Sequence, residues 1–411
     1  MKPCSLLIFV LWLVTRISTA ANAADQSTPL GRPQVYSYSA ENLVVARQRL
    51  EKGDAALQPA LQQLRADAER ALTVKPVSVM DKTRTPPSGD KHDYLSQAPY
   101  WWPDPAKPDG LPYIRRDGDR NPEVDRGTDK PTLVRMQSTV GTLALAYFFT
   151  HSEAYAAHAA KLLRIWFLDP ATRMNPQLEF AQYIPGINSG RGIGIIETAH
   201  FGELCDAVAL LAGSPAWSEA DARGFRSWLN AYFQWLTTSK YGRDEAAAEN
   251  NHGTWYDAQA AHLALALGKP ETAKAILTAG LKKRLEFEIE PDGSQPREMA
   301  RTKSLGYSTM NLEAMFTNAR LAAHVGVDWW RHQSADGRSL RAALAYLTPY
   351  LDPTVKWRKQ DLLEGDRGQI LALAAEAAKR WDDAALRTLV EKHGTTPALQ
   401  AARWHLLLNM P

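Results

Sequence analysis

The most regular feature of this chain is the helical spacing of its hydrophobic residues. Between Ala40 and Leu72, apolar side chains recur with the spacing of one helix face, with a possible interruption at Gly53 or Pro59. From Thr132 onward the same spacing predicts a series of amphipathic helices separated by short breakers. These predicted helices cover residues 132–150, 153–167, 194–212, 218–238, 254–267, 270–286, 309–325, 338–350, 367–380, 383–392 and 397–409.

The connections between these helices predict the fold class. Two helix starts are typical: Ser218 directly before Glu219, and Pro270 two residues after Gly268. Strand-like alternation is scarce. Because consecutive helices joined by short turns pack as antiparallel hairpins, we expect an all-α protein. A ring of such hairpins gives an α/α toroid, an incomplete α/α barrel. The sequence shows no internal repeat, so the closure of the ring is a hypothesis.

Residues 76–131 differ from the rest of the chain. Proline, glycine, aspartate and lysine dominate there, hydrophobic periodicity disappears, and Tyr100, Trp101 and Trp102 stand together. A loop of this length inside a compact domain is usually either functional or disordered. The aromatic residues favour a functional lid or rim over a cleft. We therefore expect a single α/α-toroid domain over residues 24–411, with 76–131 as its lid or rim loop.

The N-terminus has the composition of a secretion signal. Lys2 gives a short basic start, an apolar run extends from Ser5 to Val14, and a small-residue cleavage site ends at Ala23. The apolar run is shorter than the about 20 residues that a stable membrane span requires. We therefore expect residues 1–23 to be removed and the mature protein to be periplasmic or secreted, without attachment to a membrane.

The net charge limits the classes of molecule that the protein could bind, and the cysteine content predicts whether a disulfide can form. The formal net charge is +3, and it falls to +1 when Lys2 and Arg16 leave with the signal. Near-neutrality argues against a nucleic-acid partner, which requires a broad basic surface. A local cluster of cations in a cleft could still hold a polyanion. Signal cleavage also removes Cys4 and leaves Cys205, so no internal disulfide is expected.

The first candidate for chemistry is Asn250-Asn251-His252, with Trp255 and Tyr256 close behind. A helix is predicted to begin here, with the residue at 256 on the same face as the histidine. A histidine at a helix N-terminus tends to be neutral, because the positive end of the helix dipole disfavours its cation. A neutral imidazole is what a general base requires. The alternative is that an asparagine only caps the helix and His252 is a surface residue.

The second candidate runs from Arg297 through Glu298 and Arg301 to Tyr307. The two arginines are four positions apart and could share one face of a helical turn. A phenol near a guanidinium has its ionised form stabilised, which would help Tyr307 to relay a proton. The alternative is a charged helix end in which Glu298 pairs with an arginine and the tyrosine packs against the core.

A third candidate is the glycine-rich segment from Asn188 to Gly192. It lacks the spacing of a dinucleotide-binding or phosphate-binding loop. A loop that contacts a glycan is the preferred interpretation, with Asn188 and Arg191 on substrate carboxylates, and a purely structural turn is the alternative. Elsewhere no histidine, cysteine or aspartate cluster has the spacing of metal ligands, so we expect no catalytic metal and no cofactor.

Amide, imidazole, guanidinium and phenol groups together suit the β-elimination of a uronate polymer. That reaction removes the weakly acidic C5 proton beside a carboxylate and gives a proton to the departing 4-O oxygen. Two other classes stay open. A toroidal glycoside hydrolase would need two carboxylates on either side of the scissile bond, and a glycan-binding protein would need no chemistry. The carboxylates that could serve a hydrolase are Glu197, Glu249, Asp257 and Glu298.

In combination, these motifs resemble the alginate lyase superfamily, with polysaccharide lyase family thirty-eight closer than family five. The resemblance covers roughly residues 90–350 and is carried by Tyr100-Trp101-Trp102-Pro103-Asp104, by Asn188 to Gly192, by Asn250 to Tyr256 and by Arg297 to Ser308. It implies an α/α toroid with a cleft across one end. It also implies metal-independent β-elimination that leaves an unsaturated uronate at the new non-reducing end.

The resemblance further implies roles for the residues at matching positions. Asn251 would neutralise the substrate carboxylate, Arg301 would hold that carboxylate or tune Tyr307, and Tyr307 would protonate the leaving oxygen. His252 would be the base, or would assist Tyr307 when the proton and the leaving group lie on the same face of the sugar. The residues that bind the substrate would be Asn188, Arg191, Trp101, Trp102, Trp255 and Arg297. The acidic polysaccharide itself (alginate, polymannuronate or glucuronan), endo or exo action and the oligomeric state stay open.

Overall fold

Helices make up most of the structure, as the hydrophobic spacing predicts. The computed structural model describes residues 33–359, 361 and 367–409, so the predicted signal peptide lies outside the described residues. The α-helices of this part of the chain are α1 (Ala40–Glu51), α2 (Gln58–Leu72), α3 (Lys130–Thr150), α4 (Glu153–Leu163), α5 (Phe201–Leu210), α6 (Glu219–Thr238), α7 (Lys240–Ala246), α8 (Asn251–Ala266), α9 (Pro270–Gly280), α10 (Pro296–Met299), α11 (Ser304–Ala323), α12 (Leu340–Leu347), α13 (Arg367–Arg380), α14 (Ala384–His393), α15 (Pro397–Gln400) and α16 (Trp404–Leu408).

The helices are arranged as the predicted α/α toroid. An inner row consists of α3, α5, α8, α11 and α13, and each of these helices contacts the next. On the outside, α2 and α4 pack on α3, α6 and α9 pack on α8, α12 packs on α11, and α14 packs on α13. At the two ends of the chain, α1 contacts α16, and Lys379 on α13 donates to Asn42 on α1 at 3.1 Å. The fold class predicted from the sequence is confirmed.

Inner and outer helices differ in how their surfaces are used. Helix α8 is buried nearly all round, including polar residues such as Thr254 and Gln259. Both side chains donate hydrogen bonds inside the protein, since Gln259 Nε2 donates to Thr198 Oγ1 at 2.9 Å and Thr254 Oγ1 donates to Glu288 at 2.8 Å. Helix α6 instead buries its apolar face, and its opposite face is exposed to solvent. A helix buried on all sides is expected at the centre of a layered helical fold.

The segment 76–131 is ordered and contains short strands. Strand β1 (Leu95–Gln97) pairs in parallel with β4 (Phe180–Tyr183), and β2 (Trp101–Trp102) pairs antiparallel with β3 (Ile114–Arg115). The buried ammonium of Lys82 lies 3.0 Å from the Asp129 carboxylate and also donates to two backbone carbonyls. These contacts tie the segment to the start of α3.

Several predicted helices are interrupted or divided. The predicted helix 194–212 is a 3₁₀ turn, Gly192–Thr198, followed by α5. Gly194 in this turn packs against Ala181, where a Cβ atom would collide. The predicted helices 153–167 and 270–286 each end in a π-helical turn. The predicted helix 397–409 is divided between α15 and α16. The hydrophobic spacing does not predict α7 or α10, since both are too short to show a periodicity.

The residues from Pro33 onward form one compact unit. Within the part of the chain that the structure describes, no helix combines the length and the apolarity needed to cross a bilayer.

Candidate active site

A cleft of about 1090 Å³ opens at the end of the toroid where α3, α8 and α11 begin. Lys130, Asn251 and Tyr307, from the first turns of these three helices, line its wall. Strands β2 and β3 add Trp101 and Arg115 to the rim. Because the N-terminal end of a helix carries a partial positive charge, this arrangement favours an anionic ligand.

The four predicted catalytic residues, Asn251, His252, Arg301 and Tyr307, all line this cleft. They come from the start of α8, from the turn after α10 and from the first turn of α11. Helices α8 and α11 pack side by side, which brings these separate stretches together. The structure therefore places the four side chains on one cleft, whereas their roles in a reaction stay predictions.

Asn251 forms part of the cleft wall, is fully buried and is held by Glu298. The backbone N–H of Asn251 donates to Glu298 Oε1 and its Nδ2 donates to Oε2, each at 2.7 Å. Asn251 Oδ1 is buried without a hydrogen-bond partner among the described residues. Glu298 therefore does not serve as an arginine's partner, as one sequence interpretation has it, but fixes the asparagine.

His252 lies in the first turn of α8 and contacts the Glu245 carboxylate. Asn250 is the N-cap of the helix, and its side-chain oxygen accepts from His252 N at 3.3 Å. The imidazole is 13% exposed, so the surface-residue alternative is wrong. Its Nδ1 lies 2.7 Å from Glu245 Oε1. Since an ionised carboxylate only accepts hydrogen bonds, Nδ1 carries the hydrogen, and the Nε2 of a neutral ring is left with a free lone pair.

Arg301 is clamped by Asp117, a residue of the 76–131 segment. Its Nε and one terminal nitrogen donate to the two carboxylate oxygens at 3.2 and 2.9 Å. The bonds from Arg301 and Thr302 lower the pKa of Asp117 to about 2 even though burial opposes the shift. The same guanidinium nitrogen donates to the Tyr307 hydroxyl at 3.1 Å. A bidentate pair of this kind fixes the direction of the guanidinium as well as its charge.

The Tyr307 hydroxyl lies where Arg301 and Tyr100 meet. Its oxygen is 3.1 Å from Arg301 and 2.9 Å from the hydroxyl of Tyr100. Burial raises the pKa of the Tyr307 phenol, and the hydrogen bond with Tyr100 adds to the rise, which outweighs the opposite effect of Arg301. Arg301 therefore stabilises the ionised phenol, as predicted, but burial and the hydrogen bond with Tyr100 have the larger effect on its pKa. The phenol keeps its proton at neutral pH, as a proton donor must.

The three predicted binding tryptophans have different surroundings. Trp101 and Trp255 line the cleft, but successive side chains of a strand point to opposite faces, which puts Trp102 on the other side of β2. There the Trp102 indole donates to the Asp119 carbonyl at 2.9 Å. Trp255 lines the cleft together with His252, whereas Tyr256, predicted to share the face of His252, is buried and its hydroxyl donates to the Leu236 carbonyl.

The glycine-rich segment contributes one residue to the cleft. Arg191 lines it, and its guanidinium donates to the backbone and side-chain oxygens of Gln182 at 3.1 and 2.8 Å. Burial, together with nearby Arg115, lowers the pKa of Arg191 to about 10. Asn188 instead closes a turn, because its side-chain oxygen accepts from Ile184 N at 3.0 Å. For Asn188 the structural-turn interpretation fits its surroundings.

Arg297 lies outside this cleft, in a smaller pocket on the other side of His252. That pocket has a volume of about 450 Å³ and is also lined by Asp244 and Glu245. The Arg297 guanidinium lies 4.1 Å above the Phe287 ring and 3.3 Å from the Glu249 carboxylate. Although Arg297 and Arg301 are four positions apart, α10 ends at Met299, so they do not share a helical face.

Sequence patterns do not predict the contacts by which three carboxylates hold the candidate catalytic residues. Glu245, Glu298 and Asp117 lie 7, 47 and 184 positions from their partners. Tyr100, which contacts the Tyr307 hydroxyl, could be recognised from the sequence as a rim residue, because it stands in an aromatic cluster. No spacing along the chain connects the three carboxylates with the residues that they hold.

The carboxylates that would support a hydrolase are all engaged by other groups. Glu197 accepts from Tyr94 and Ser96 and lies 3.1 Å from Lys130. Asp257 is bound by Arg284 at 2.8 Å, and Glu249 and Glu298 contact Arg297 and Asn251 as described above. Among the described residues, no group of three or more histidine, cysteine, aspartate or glutamate side chains could hold a metal ion. The expectation of catalysis without a metal stays a prediction.

The chain is similar to proteins of a known family. The sequence profile of the alginate lyase family matches residues 78–357. The crystal structure of an alginate lyase from Bacteroides ovatus is 40% identical in sequence, covers 92% of this chain and 100% of its own, and superimposes with a TM-score of 0.88. Among curated proteins, no match is found.

More distant structures share the fold. Alginate lyase A1-III from Sphingomonas species A1 is 18% identical, with 90% of this chain and 95% of that chain covered and a TM-score of 0.55. A variant of A1-III in complex with a tetrasaccharide gives 18% identity, 90% and 94% coverage and a TM-score of 0.54. The family profile extends over most of the chain, and the Bacteroides ovatus enzyme matches along its full length. This chain is therefore a member of the alginate lyase family and a polysaccharide lyase.

Proposed function

We propose that this enzyme cleaves alginate by β-elimination without a metal and leaves a 4,5-unsaturated uronate at each new non-reducing end. The observation that carries the proposal is the meeting of an amide, an imidazole, a guanidinium and a phenol on one cleft wall. The relatives are named alginate lyases, and A1-III, in variant form, was solved with a bound tetrasaccharide.

The first requirement of the reaction is a weaker negative charge on the substrate carboxylate. A proton on C5 is only weakly acidic while that carboxylate is fully charged. Asn251 and Arg301 would bind the carboxylate and so stabilise the carbanion-like transition state electrostatically. The Asp117 clamp supports this role, because it holds the Arg301 guanidinium in a fixed direction before the substrate arrives.

The second requirement is a base at C5. The Nδ1 contact with Glu245 leaves His252 Nε2 as the nitrogen that can accept a proton. His252 would act as base for one C5 configuration. For the other, where the proton and the leaving group share a face of the ring, it would assist Tyr307 instead.

The third requirement is an acid at the departing 4-O oxygen. Tyr307 suits this step because its phenol is protonated at neutral pH and its oxygen receives a hydrogen bond from Arg301. The bond from Arg301 would stabilise the phenolate that forms when the proton leaves. Tyr100, 2.9 Å away, can return a proton by the same hydrogen-bonded path.

The cleft also carries charges that suit neighbouring uronate residues. Lys130, Arg115 and Arg191 line it. Lys130 and Arg115 are paired with Glu197 and Asp117, whereas Arg191 is held by neutral oxygens of Gln182. Such a group of cations offsets the repulsion that a polyanionic chain would meet. Trp101 and Trp255 offer flat apolar surfaces against which sugar rings can stack.

The cell compartment is part of the proposal. The N-terminal residues 1–23 have the pattern of a secretion signal, and a polysaccharide that does not enter the cell must be cut outside the cytoplasm. We infer a periplasmic or secreted enzyme with one domain after the signal. Detection of the mature N-terminus near Ala24 in a periplasmic or medium fraction would support this localisation.

A panel of uronans tests the activity. The purified protein is incubated with polymannuronate, polyguluronate, mixed alginate and glucuronan, and both reducing ends and the ultraviolet absorbance of unsaturated uronate are measured. We expect the two signals to rise together on at least one alginate. New reducing ends without absorbance would indicate a hydrolase, and binding without either signal would indicate a glycan-binding protein.

A further inference from the structure

The Asn251 side chain has one polar atom that the free enzyme leaves unused. The residue is fully buried, and Oδ1 has no hydrogen-bond partner among the described residues, although Asn251 forms part of the cleft wall. Nδ2 is engaged, because it donates to Glu298 Oε2 at 2.7 Å. A buried acceptor without a partner is unfavourable. It belongs to a residue of the cleft wall on which the proposed function requires a substrate carboxylate to bind.

The present orientation of the amide does not suit that substrate. A carbonyl oxygen and a carboxylate both accept hydrogen bonds, so Oδ1 would repel a uronate carboxylate. The NH2 group would attract it, but one of its two hydrogens is given to Glu298. As long as Glu298 is ionised, it keeps the amide nitrogen on its own side.

The arrival of the substrate changes the charge around Glu298. This side chain is 1% exposed and stands beside Asn251. The charged groups that act on it from neighbouring elements are Arg301, His252 and Glu288. Burial already raises the pKa of Glu298. A second carboxylate beside the same amide adds like-charge repulsion, and two buried carboxylates at short range rarely stay ionised together.

Resting on the proposed function, we propose that Glu298 takes up a proton when a uronate carboxylate binds beside Asn251, and that the Asn251 amide then rotates. After rotation, the Glu298 hydroxyl donates to Oδ1, and the NH2 group donates to the substrate carboxylate. The bond from Asn251 N to Oε1 stays in place throughout. The proton comes from solvent. Glu298 is thus a positioning residue that acts through Asn251 and converts the amide from an acceptor to a donor.

A glutamine at position 298 mimics the protonated state. Its oxygen can accept from Asn251 N, and its NH2 group can donate to Oδ1, so the rotated amide is favoured before substrate binds. Glu298→Gln should therefore bind an oligouronate without taking up a proton. Glu298→Leu removes both bonds and should lose most of the affinity for the oligouronate.

Proton uptake is measured by calorimetry in the inactive background Tyr307→Phe. A saturated mannuronate oligosaccharide is titrated at one mildly alkaline pH in buffers of different ionisation enthalpy. We expect about one proton to be taken up per bound oligosaccharide. In Tyr307→Phe/Glu298→Gln the uptake should fall close to zero while Kd stays within a few-fold. Tyr307→Phe/Glu249→Gln is the matched control, since it removes a nearby carboxylate that lines the smaller pocket instead of the cleft, and the uptake should persist.

Several results would overturn the inference. Binding without proton uptake in Tyr307→Phe contradicts it, and so does uptake that persists in the Glu298→Gln variant. Uptake that is lost in His252→Gln and kept in Glu298→Gln would place the proton on the imidazole. Absence of any binding would instead remove the proposed function itself. Difference infrared spectra of Tyr307→Phe need no change at position 298, and a protonated-carboxyl band should appear on binding.

Discussion

Helix α8 carries two histidines, each beside a carboxylate, in two very different surroundings. His252 lies in the first turn, with Nδ1 2.7 Å from Glu245 and the ring on the cleft wall. His262 lies ten residues further along, 2% exposed, with Nε2 3.1 Å from Asp206. Asp206 also accepts from the backbone of Tyr36 and Ser37, so this second pair fastens the N-terminal segment to the core.

The comparison shows that a histidine beside a carboxylate is not by itself evidence of catalysis. Both pairs have short contacts, and both are shielded from solvent. The difference lies in the second ring nitrogen. In His252 the nitrogen opposite Glu245 is left for a ligand in the cleft, whereas the ring of His262 packs against Gly202, where a Cβ atom would collide with it. Access to the cleft separates a candidate base from a structural residue.

A pair of tyrosines extends the comparison and gives the largest expected effect. Tyr307→Phe should lower kcat by a factor of roughly 10² to 10⁴, because it removes the proposed acid, and thermal stability should change little. Tyr256→Phe is the control, since that hydroxyl binds the Leu236 carbonyl inside the core. Its kcat should stay near the wild-type value. The measurement is the initial rate of unsaturated uronate formation at saturating alginate, and wild-type-like turnover by Tyr307→Phe would remove this residue from the mechanism.

The two histidines themselves should separate activity from stability. His252→Gln should lower kcat by about 10²-fold on the substrate for which it is the base, with an unchanged melting temperature. His262→Gln should reduce the free energy of unfolding by about 1 to 3 kcal/mol, because it disturbs a buried hydrogen bond, and should leave kcat of the folded enzyme close to wild type. Rates and denaturant unfolding of both variants test this. Loss of turnover by a His262→Gln variant that remains equally stable would contradict a purely structural role for His262.

The buried carboxylate of Glu288, which contacts α8, should make the free energy of unfolding depend on pH, and not the rate of the reaction. Burial raises the pKa of Glu288 to about 7, against the opposite influence of Thr254, Arg284 and Asn311. The folded state therefore binds this proton more tightly than the unfolded state does. Protonated Glu288 therefore contributes at most roughly 3 kcal/mol to the free energy of unfolding. This contribution is fully present below about pH 4.5 and is lost as the pH rises through about 7.

Glu288→Gln should remove this part of the pH dependence. Urea unfolding of wild type and variant at several values between about pH 5 and 8 tests it. The wild-type protein should lose more stability across this range than the variant does. Parallel curves for the two proteins would show that Glu288 is ionised throughout.

The smallest expected effect is that of a chelator. The candidate site consists of amide, imidazole, guanidinium and phenol groups, which can perform the proposed elimination without a metal. Activity should therefore be unchanged after dialysis against a strong chelator. Loss of activity that a divalent ion restores would mean that the chemistry assigned to these four side chains is incomplete.

Sequence patterns predict the helices and the four candidate catalytic residues, but not the contacts that orient them. The long periodic stretches around α3, α6 and α8 give their positions closely, because burial of one face or of the whole helix leaves a regular pattern. The motif around His252 marks a helix start that the structure bears out with Asn250 as the cap.

The remainder depends on contacts between distant parts of the chain. Glu298 reaches Asn251, and Asp117 reaches Arg301, across 47 and 184 positions, and no local pattern encodes such a pairing. Strand pleating decides that Trp101 faces the cleft and Trp102 does not, but a two-residue strand is too short to recognise in the sequence. The end of α10 at Met299 likewise separates Arg297 from Arg301.

The central claim is that Asn251, His252, Arg301 and Tyr307 act on a single sugar ring. A crystal structure of Tyr307→Phe with a mannuronate oligosaccharide tests it most directly. The account predicts one uronate whose carboxylate contacts Asn251 and Arg301, whose C5 faces His252 Nε2 and whose 4-O oxygen lies next to the ring at position 307. An oligosaccharide bound elsewhere, or one whose carboxylate points away from Asn251 and Arg301, would contradict the account.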